Sequence, residues 1–162
     1  MEGGTVTNSS SSASADGGLN IGGFVGEMIG GTISDSYATG AVASDRSEYY
    51  IMKTGYDAGG FAGYVTDGTI TRSYATGNVT ASGSYAGGFI GYAYNPTISY
   101  SFATGDVTGE NFTSEYGTVN SSYAGGFIGA VFFANIHDAY AMGDVHVEDT
   151  GGAFIGDRKS VV

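Results

Sequence analysis

The sequence predicts an all-β fold, a parallel β-solenoid of four to five coils that forms a single domain over residues 1–162. Two recurring blocks and the composition predict it. A Gly-x-Phe-x-Gly block occurs five times, and an aromatic-Ala-x-Gly block follows each of its first four copies at a constant offset of 13 residues. Tyr, Thr, Val, Ile and Phe favour strands, whereas the helix formers Leu, Lys, Gln and Arg are scarce. The five Phe residues are Phe24, Phe61, Phe89, Phe127 and Phe154.

Aligning the copies on Phe produces columns of identical residues. An Ile between two polar residues follows each of the first four Phe residues, and this alternation is typical of a half-buried strand. A Val follows the closing Gly of each unit. Each unit therefore offers about three short strands separated by Gly. The two columns are Ile33, Ile70, Ile98 and Ile136, and Val42, Val79, Val107 and Val145.

The basic coil has about 27–28 residues and starts near each Phe. All variation in length lies between the Val column and the next Phe. Two coils carry corner insertions there, near residues 44–56 and 109–121. In the first coil, Gly4-Thr-Val-Thr7 aligns with Gly77-Asn-Val-Thr80, so the Ser-rich stretch 8–15 takes the place of an insertion. Insertions on one face of a solenoid often form its binding surface.

The charge and the absence of cysteine exclude several classes of function. The net charge is −11 with only five basic residues, so we predict no nucleic-acid partner. There is no cysteine for a disulfide, and no apolar run that would insert into a membrane. The first residues resemble no signal peptide. Either a signal has already been removed, or the sequence is a segment of a longer chain.

Catalytic and metal-binding patterns are nearly missing. No His-Glu-x-x-His or Gly-x-Ser-x-Gly motif occurs, and no calcium-binding nonapeptide repeats. A glycosidase-like pair of carboxylates remains open for Asp35 with Asp138 or Asp106 with Asp144, because folding brings distant columns together. We predict a protein that is not an enzyme, with no catalytic residue, no metal site and no cofactor.

An aromatic column is the first candidate for a binding surface. If the strand alternation runs unbroken from the Val column, the rings face outward and form a strip for sugars or for another fibre. If Gly resets the alternation, the rings fill the core instead. The sequence leaves both orientations open. The column consists of Tyr37, Tyr74, Phe102 and Tyr140.

Two further surface features suggest additional hypotheses. Stacked Thr-Ile-Ser and Thr-Ile-Thr segments form a hydroxyl face of the kind found in ice-binding solenoids, although the fourth unit reads Asn-Ile-His. Four triplets match the acceptor pattern for N-glycosylation. Their asparagines are Asn8, Asn78, Asn111 and Asn120.

The two ends suggest self-association. Uncapped solenoid ends expose strand edges that can pair with another chain. We therefore expect subunits to stack head to tail into a homopolymer through heterologous contacts. The predicted contact residues are Thr5, Val6, Thr7, Phe154, Ile155, Val161 and Val162.

The repeated segments resemble the GLUG-motif repeat. Gly-Phe-Val-Gly at 23–26 and its later copies are each followed by an Ile-x-x-Ser-Tyr-Ala-Thr-Gly-like segment. This chain departs from the family in having Phe where Leu is commoner, and in its long corner insertions. The resemblance implies an extracellular or cell-surface structural or adhesive module, and it carries over no catalytic residue.

Two functions follow as hypotheses. The first is a non-catalytic structural module that self-associates end to end into a fibre or stalk. The second is an adhesin module that binds a glycan or a host protein through the aromatic strip or through the tyrosines of the corner insertions, which are Tyr49, Tyr50, Tyr56 and Tyr116.

Overall fold

The computed structural model describes residues 1–44, 56–83, 85–114, 117–119 and 122–159. The described residues form short strands with no helix, and nearly all strand pairs are parallel. The predicted parallel β-solenoid is therefore confirmed.

The strands follow the coils in chain order. The first coil contains β1 (Thr5–Thr7), β2 (Ser10–Ser11), β3 (Ala15–Gly17) and β4 (Ile21–Gly22). The second contains β5 (Val25–Ile29), β6 (Thr32–Ser34), β7 (Tyr37–Ala38), β8 (Val42–Ser44) and β9 (Asp57–Gly59). The third contains β10 (Ala62–Thr66), β11 (Thr69–Thr71), β12 (Tyr74–Ala75), β13 (Val79–Ser82) and β14 (Tyr85–Gly87). The fourth contains β15 (Ile90–Tyr94), β16 (Thr97–Ala103), β17 (Val107–Glu110), β18 (Phe112–Ser114), β19 (Gly117–Val119) and β20 (Tyr123–Gly125). The fifth contains β21 (Ile128–Phe132), β22 (Asn135–Ala141), β23 (Val145–Val147) and β24 (Thr150–Gly152), and β25 (Ile155–Lys159) follows it.

Each coil passes through four walls, which we call sheets A to D in the order of the chain. Sheet A consists of β5, β10, β15, β21 and β25. Sheet B has two halves, formed by β1, β6 and β11 and by β2, β7 and β12, while β16 and β22 run through both. Sheet C consists of β3, β8, β13, β17 and β23, and sheet D consists of β4, β9, β14, β20 and β24.

The first coil corrects the predicted alignment of the N-terminal residues. β1 pairs with Thr32–Ser34 in sheet B, so Val6 lies in the Ile column and not in the Val column. The Ser-rich stretch forms β2 and leads directly into β3, without a corner insertion. The turn before β1 explains the register, because Gly3 and Gly4 have φ of 64° and 80°, nearly the same as Gly30 and Gly31 at 65° and 80°. The glycine pair fixes this alignment, and the Gly-x-Val match is coincidental.

Both corner insertions connect the same two sheets. The first lies between β8 of sheet C and β9 of sheet D, and the second lies between β17 of sheet C and β20 of sheet D. The second insertion contains the antiparallel pair β18 and β19. In the third coil, by contrast, only two residues separate β13 and β14.

The core is built from ladders of identical side chains. The rings of Phe24, Phe61, Phe89, Phe127 and Phe154 stack at centroid distances of 4.8 to 4.9 Å, and the three inner rings are fully buried. The Ile column packs in the same cluster. Aromatic stacking adds roughly 0.5–1.5 kcal/mol per pair to the burial of the rings.

Buried serines complete the hydrogen bonding where sheet B bends. Residues with left-handed backbone, such as Asp35 and Arg72, divide its two halves. The amide N–H of Ser36 donates to Oγ of Ser73, and the amide of Ser73 donates to Oγ of Ser101, both at 3.3 Å. The hydroxyl of each serine in turn donates to the backbone carbonyl two residues earlier in the same coil. The Ser column thus replaces the backbone ladder at the bend.

Close backbone contacts at glycine fix the spacing of the coils. A Cβ atom added at Gly88 would lie 2.2 Å from the carbonyl oxygen of Gly126 in the next coil. Such a contact cannot be relieved by a side-chain rotation, because the oxygen belongs to the backbone and the backbone also fixes the position of a Cβ atom. Glycine is therefore required at this position of the Gly-Gly-Phe block.

We predict that Gly88→Ala lowers the free energy of unfolding by about 3 kcal/mol or more, because the methyl group forces two coils apart. The matched control is Gly18→Ala, whose added Cβ would meet only Cε1 of Tyr56 at an ordinary 3.7 Å. Urea denaturation of both variants measures the difference. Equal stability of the two variants would contradict the assigned packing.

Candidate functional site

The aromatic column predicted from the sequence lies on the outer surface of sheet B. Its neighbours Ser36 and Ala38 are buried, so Tyr37 between them points outward. The alternation of the strand is therefore unbroken, which decides the question that the sequence left open. Consecutive rings of Tyr37, Tyr74, Phe102 and Tyr140 stack at 4.8 to 4.9 Å with planes within 4° of parallel.

Stacking determines which parts of these rings another molecule can reach. Each inner ring has both faces covered by its neighbours in the column, so the strip presents ring edges to solvent. A sugar needs a ring face to stack on, and these inner faces are occupied. At the C-terminal end of the ladder, Tyr140 is 48% exposed. The strip is thus suited to edge contacts, and a sugar could stack only at its end.

A second aromatic cluster, which the sequence reasoning missed, lies where sheets D and A meet. The rings of Tyr64 and Tyr92 stack at 5.3 Å on sheet A, and Tyr85 of sheet D lies 5.5 Å from Tyr92. The two sheets approach closely because glycines separate them: a Cβ at Gly91 would lie 2.7 Å from the backbone nitrogen of Ala58. The cluster was hidden in the sequence because its members come from different walls.

Asp57 lies beside this cluster and is only 2% exposed. It pairs with Tyr85 in the register of sheet D, and its Oδ1 atom has no hydrogen-bond partner. Burial raises the pKa of this carboxyl from 3.8 to about 7. Burial is also the main cause that raises the pKa of Tyr85 and Tyr92, and the charge of Asp57 adds to it. Among the carboxyl groups of the described residues, Asp57 has the pKa that departs furthest from its usual value.

Asn20 occupies the position next to Asp57 in the same column. Ile21 pairs with Ala58, which places Asn20 and Asp57 on adjacent coils. The Oδ1 atom of Asn20 is also buried without a hydrogen-bond partner. Burial without a hydrogen-bond donor to Oδ1 favours the neutral, protonated form of Asp57, because a charged carboxylate would lose its hydration there without compensation.

The residues predicted for end-to-end contact lie on edge strands of different sheets. Thr5, Val6 and Thr7 form β1 at the N-terminal edge of sheet B, whereas Ile155 begins β25 at the C-terminal edge of sheet A, directly after Phe154. If a second copy continued the sheets in register, its β1 would pair with β22 of the first copy. The two predicted groups would therefore not contact each other directly. Val161 and Val162 lie outside the described residues.

The carboxylate pairs considered for catalysis have structural partners. Arg72 forms a bidentate salt bridge with Asp35, with Nε to Oδ1 at 2.6 Å and Nη2 to Oδ2 at 2.8 Å, and holds the pKa of that carboxyl below its usual range. Asp138 lies three coils away, about 14 Å along the solenoid, which exceeds the carboxylate separation of glycosidases. Asp106 uses its Oδ1 to accept the backbone N–H of Asp144 at 3.0 Å.

The remaining predicted surface residues have diverse surroundings. Asn8 and Asn78 are exposed, Asn111 is half-buried with its Oδ1 accepting from Ser122, and Asn120 lies outside the described residues. Tyr49, Tyr50 and Tyr116 are also outside them. Tyr56 is only 5% exposed and therefore offers no binding surface.

The hydroxyl face considered for ice binding extends over one more coil than predicted, because β1 adds Thr5 and Thr7. Its hydroxyls bond along the column, as in the pair from Ser99 to Thr71 at 3.0 Å.

Across the described ranges, no group of three or more His, Asp or Glu side chains is placed to hold a metal ion. Within the same residues there is no helix of the length and apolarity needed to cross a membrane.

Comparison with known families agrees with the coil structure. The model of the GLUG motif matches residues 17–43, 54–80 and 82–108, which together make up half of the chain. The chain belongs to the GLUG-motif family. Each match runs from sheet D through sheets A and B to sheet C, so one GLUG motif corresponds to one coil of the solenoid. A search of curated proteins gives no match.

We predict that Asp57→Asn stabilises the protein above pH 7 and has little effect near pH 4. The folded protein keeps the proton on Asp57 up to about pH 7, whereas the unfolded carboxyl loses it near 3.8. Stability therefore falls as the pH rises between these values, by up to about 4 kcal/mol. The amide removes this cost, which thermal unfolding at pH 4 and pH 8 measures.

The control for this experiment is Asp16→Asn, which changes an exposed carboxyl of sheet C. A loss of stability in Asp57→Asn that is the same at both pH values would contradict the assigned buried carboxyl.

We predict that Tyr74→Ala destabilises the protein about twice as much as Tyr140→Ala. Tyr74 stacks on two rings and Tyr140 on one, and each pair contributes roughly 0.5–1.5 kcal/mol. Chemical denaturation gives both free energies. If both substitutions lower the free energy of unfolding equally, the stabilisation by the ladder is not a sum over stacked pairs.

Proposed function

We propose that the chain is a rigid, non-catalytic structural module of an extracellular or cell-surface protein. In this proposal it carries its two corner insertions at a fixed spacing, for contact with a glycan or with a protein on another surface. The observation that carries the proposal is that both insertions connect a strand of sheet C to a strand of sheet D, in the second and fourth coils. Their bases lie two coils apart, which corresponds to about 10 Å along one edge.

The construction of the walls supports the rigid role. Ladders of Phe, Ile and Ser run through successive coils, and glycine contacts hold adjacent backbones together. Chain length varies only at the corner between sheets C and D, while the other corners keep their spacing. Variation confined to one face is typical of a surface under functional selection in solenoids.

The surface chemistry supports a location outside the cell. The net charge of −11 gives a highly charged, soluble surface. Asn8 and Asn78, two of the predicted glycosylation sites, are exposed. The GLUG resemblance implies a module of surface proteins, and the charge and the exposed asparagines agree with that implication.

End-to-end association is the narrower structural hypothesis from the sequence. It requires the two end faces to pair in register, through edge strands such as β1 and β22. An open depression of about 380 Å³ on the C-terminal face, lined by Val145, Val147 and Ala153 among others, shows that this face has relief that a partner must fit. Ice binding by the hydroxyl face is a further alternative, which thermal hysteresis would reveal.

We predict that removing the insertions abolishes binding and preserves the fold. The third coil shows how: replacing residues 45–55 with Ser-Gly, and deleting residues 112–121, reproduces its short connection between β13 and β14. We expect binding to a glycan array or to cell surfaces to fall by about tenfold or more, with the circular dichroism spectrum unchanged.

Asp16→Asn is the matched control, since it alters an exposed residue of sheet C, leaves the insertions intact and should bind as the wild type does. Retained binding by the chain without insertions would contradict the proposal, and so would a wild-type chain that binds neither glycans nor cells.

A further inference from the structure

Two columns of glycine face opposite ends of the solenoid. In the Gly-Gly-Phe blocks, the second glycine faces the following coil: a Cβ at Gly60 would lie 2.2 Å from the carbonyl oxygen of Gly88. In the aromatic-Ala-x-Gly blocks, the closing glycine faces the preceding coil: a Cβ at Gly77 would lie 1.9 Å from the carbonyl oxygen of Gly40. Inside the solenoid, neither column has room for a methyl group.

Each column contains one alanine, and each alanine lies in an outermost coil. Ala153 occupies the glycine position before Phe154. A Cβ atom added at Gly126 would lie 2.2 Å from the carbonyl oxygen of Ala153. Ala13 takes the closing position of the first coil, with its oxygen 1.9 Å from a Cβ at Gly40. Both alanines are exposed, whereas the inner glycines of their columns are buried.

The directions of the two methyl groups follow from the columns. Gly126 and its equivalents direct the Cβ position toward the C-terminal side, so the methyl group of Ala153 points away from the solenoid at that end. Gly40 and its equivalents direct it toward the N-terminal side, so the methyl group of Ala13 points away at the other end. Each alanine is thus accommodated only because no described coil stacks on it.

Two copies stacked in register would bring both methyl groups into one junction. Such a junction pairs β22, β23 and β24 of one copy with β1 to β4 of the other, and then places β5 on β25. Ala13 of one copy would then stack on Gly143 of the other, and Gly23 would stack on Ala153. Repeating the spacing of the inner coils puts each methyl carbon about 2 Å from a carbonyl oxygen, well inside the contact distance of about 3.5 Å.

The first residues add a separate obstacle to this junction. Glu2 bridges Ile29 in sheet A, the amide of Ile29 donates to the carbonyl of Met1 at 2.8 Å, and the N-terminal amine donates to the backbone carbonyl oxygen of Glu27 at 2.7 Å. The second copy would have to release these residues before its β5 could pair with β25.

We infer that Ala13 and Ala153 close the two end faces of the solenoid to a further coil in register, and so to a second copy of this chain. The edges of sheets are commonly protected against pairing, and here a single methyl group at each end provides the protection. This inference opposes the head-to-tail fibre that the sequence suggested.

A chain lengthened by one coil tests the inference directly. Inserting a second copy of residues 127–153 after Ala153 places the original Ala153 inside the solenoid and leaves the new alanine at the end. We expect inner Ala153→Gly to raise the midpoint of thermal unfolding of this chain by about 5 °C or more, because it removes the clash. The same substitution at the outer alanine is the matched control and should change little.

Equal effects of the inner and outer substitutions would overturn the inference. Sedimentation velocity of the wild-type chain provides the second readout: we expect a monomer over the whole concentration range. Filaments of wild-type protein with coils in register would overturn the inference as well, whatever the outcome of the binding experiments on the corner insertions.

Discussion

The close approach of glycine backbone to the carbonyl groups of the next coil is the constraint on which the rest of the structure depends. It leaves no space for a Cβ atom at Gly60, Gly88 or Gly126, and it therefore fixes how one coil lies on the next. Once this register is set, every other position of the repeat falls into a column. Identical side chains in a column then stack favourably, as the Phe ladder shows.

The same constraint separates the positions that can vary from those that cannot. Residues in the columns must match their neighbours above and below, so the walls admit few changes. The corner between sheets C and D lies outside these contacts, and both insertions occur there. Loop closure costs little for each added residue, so a corner can lengthen without loss of the fold. The proposed display of the insertions follows from this division between fixed walls and a variable corner.

Much of the fold could be predicted from the sequence, because the spacing of Phe, Ile and Val encodes the register directly. The register of the first coil was mispredicted, since the short Gly-Thr-Val-Thr match outweighed the Gly3-Gly4 turn that matches Gly30-Gly31. Asp57 was missed for another reason. Its burial results from the packing of sheet D against sheet A, and no periodicity within one wall reveals that contact. The role of Ala13 and Ala153 likewise needed the direction of each Cβ atom, which a sequence alignment does not contain.

The central claim is that successive coils lie in register even where an insertion separates them, and disulfide trapping tests it most directly. Thr39 and Thr76 follow the paired residues Ala38 and Ala75, and both are exposed. Their Cα atoms should lie about 5 Å apart, within the range of a disulfide, whereas Thr39 and Thr104 are two coils apart at about 10 Å. Because the chain has no cysteine, any bridge comes from the introduced pair. The account predicts a bridge in Thr39→Cys/Thr76→Cys and none in Thr39→Cys/Thr104→Cys; the reverse result, or a bridge in neither, would contradict it.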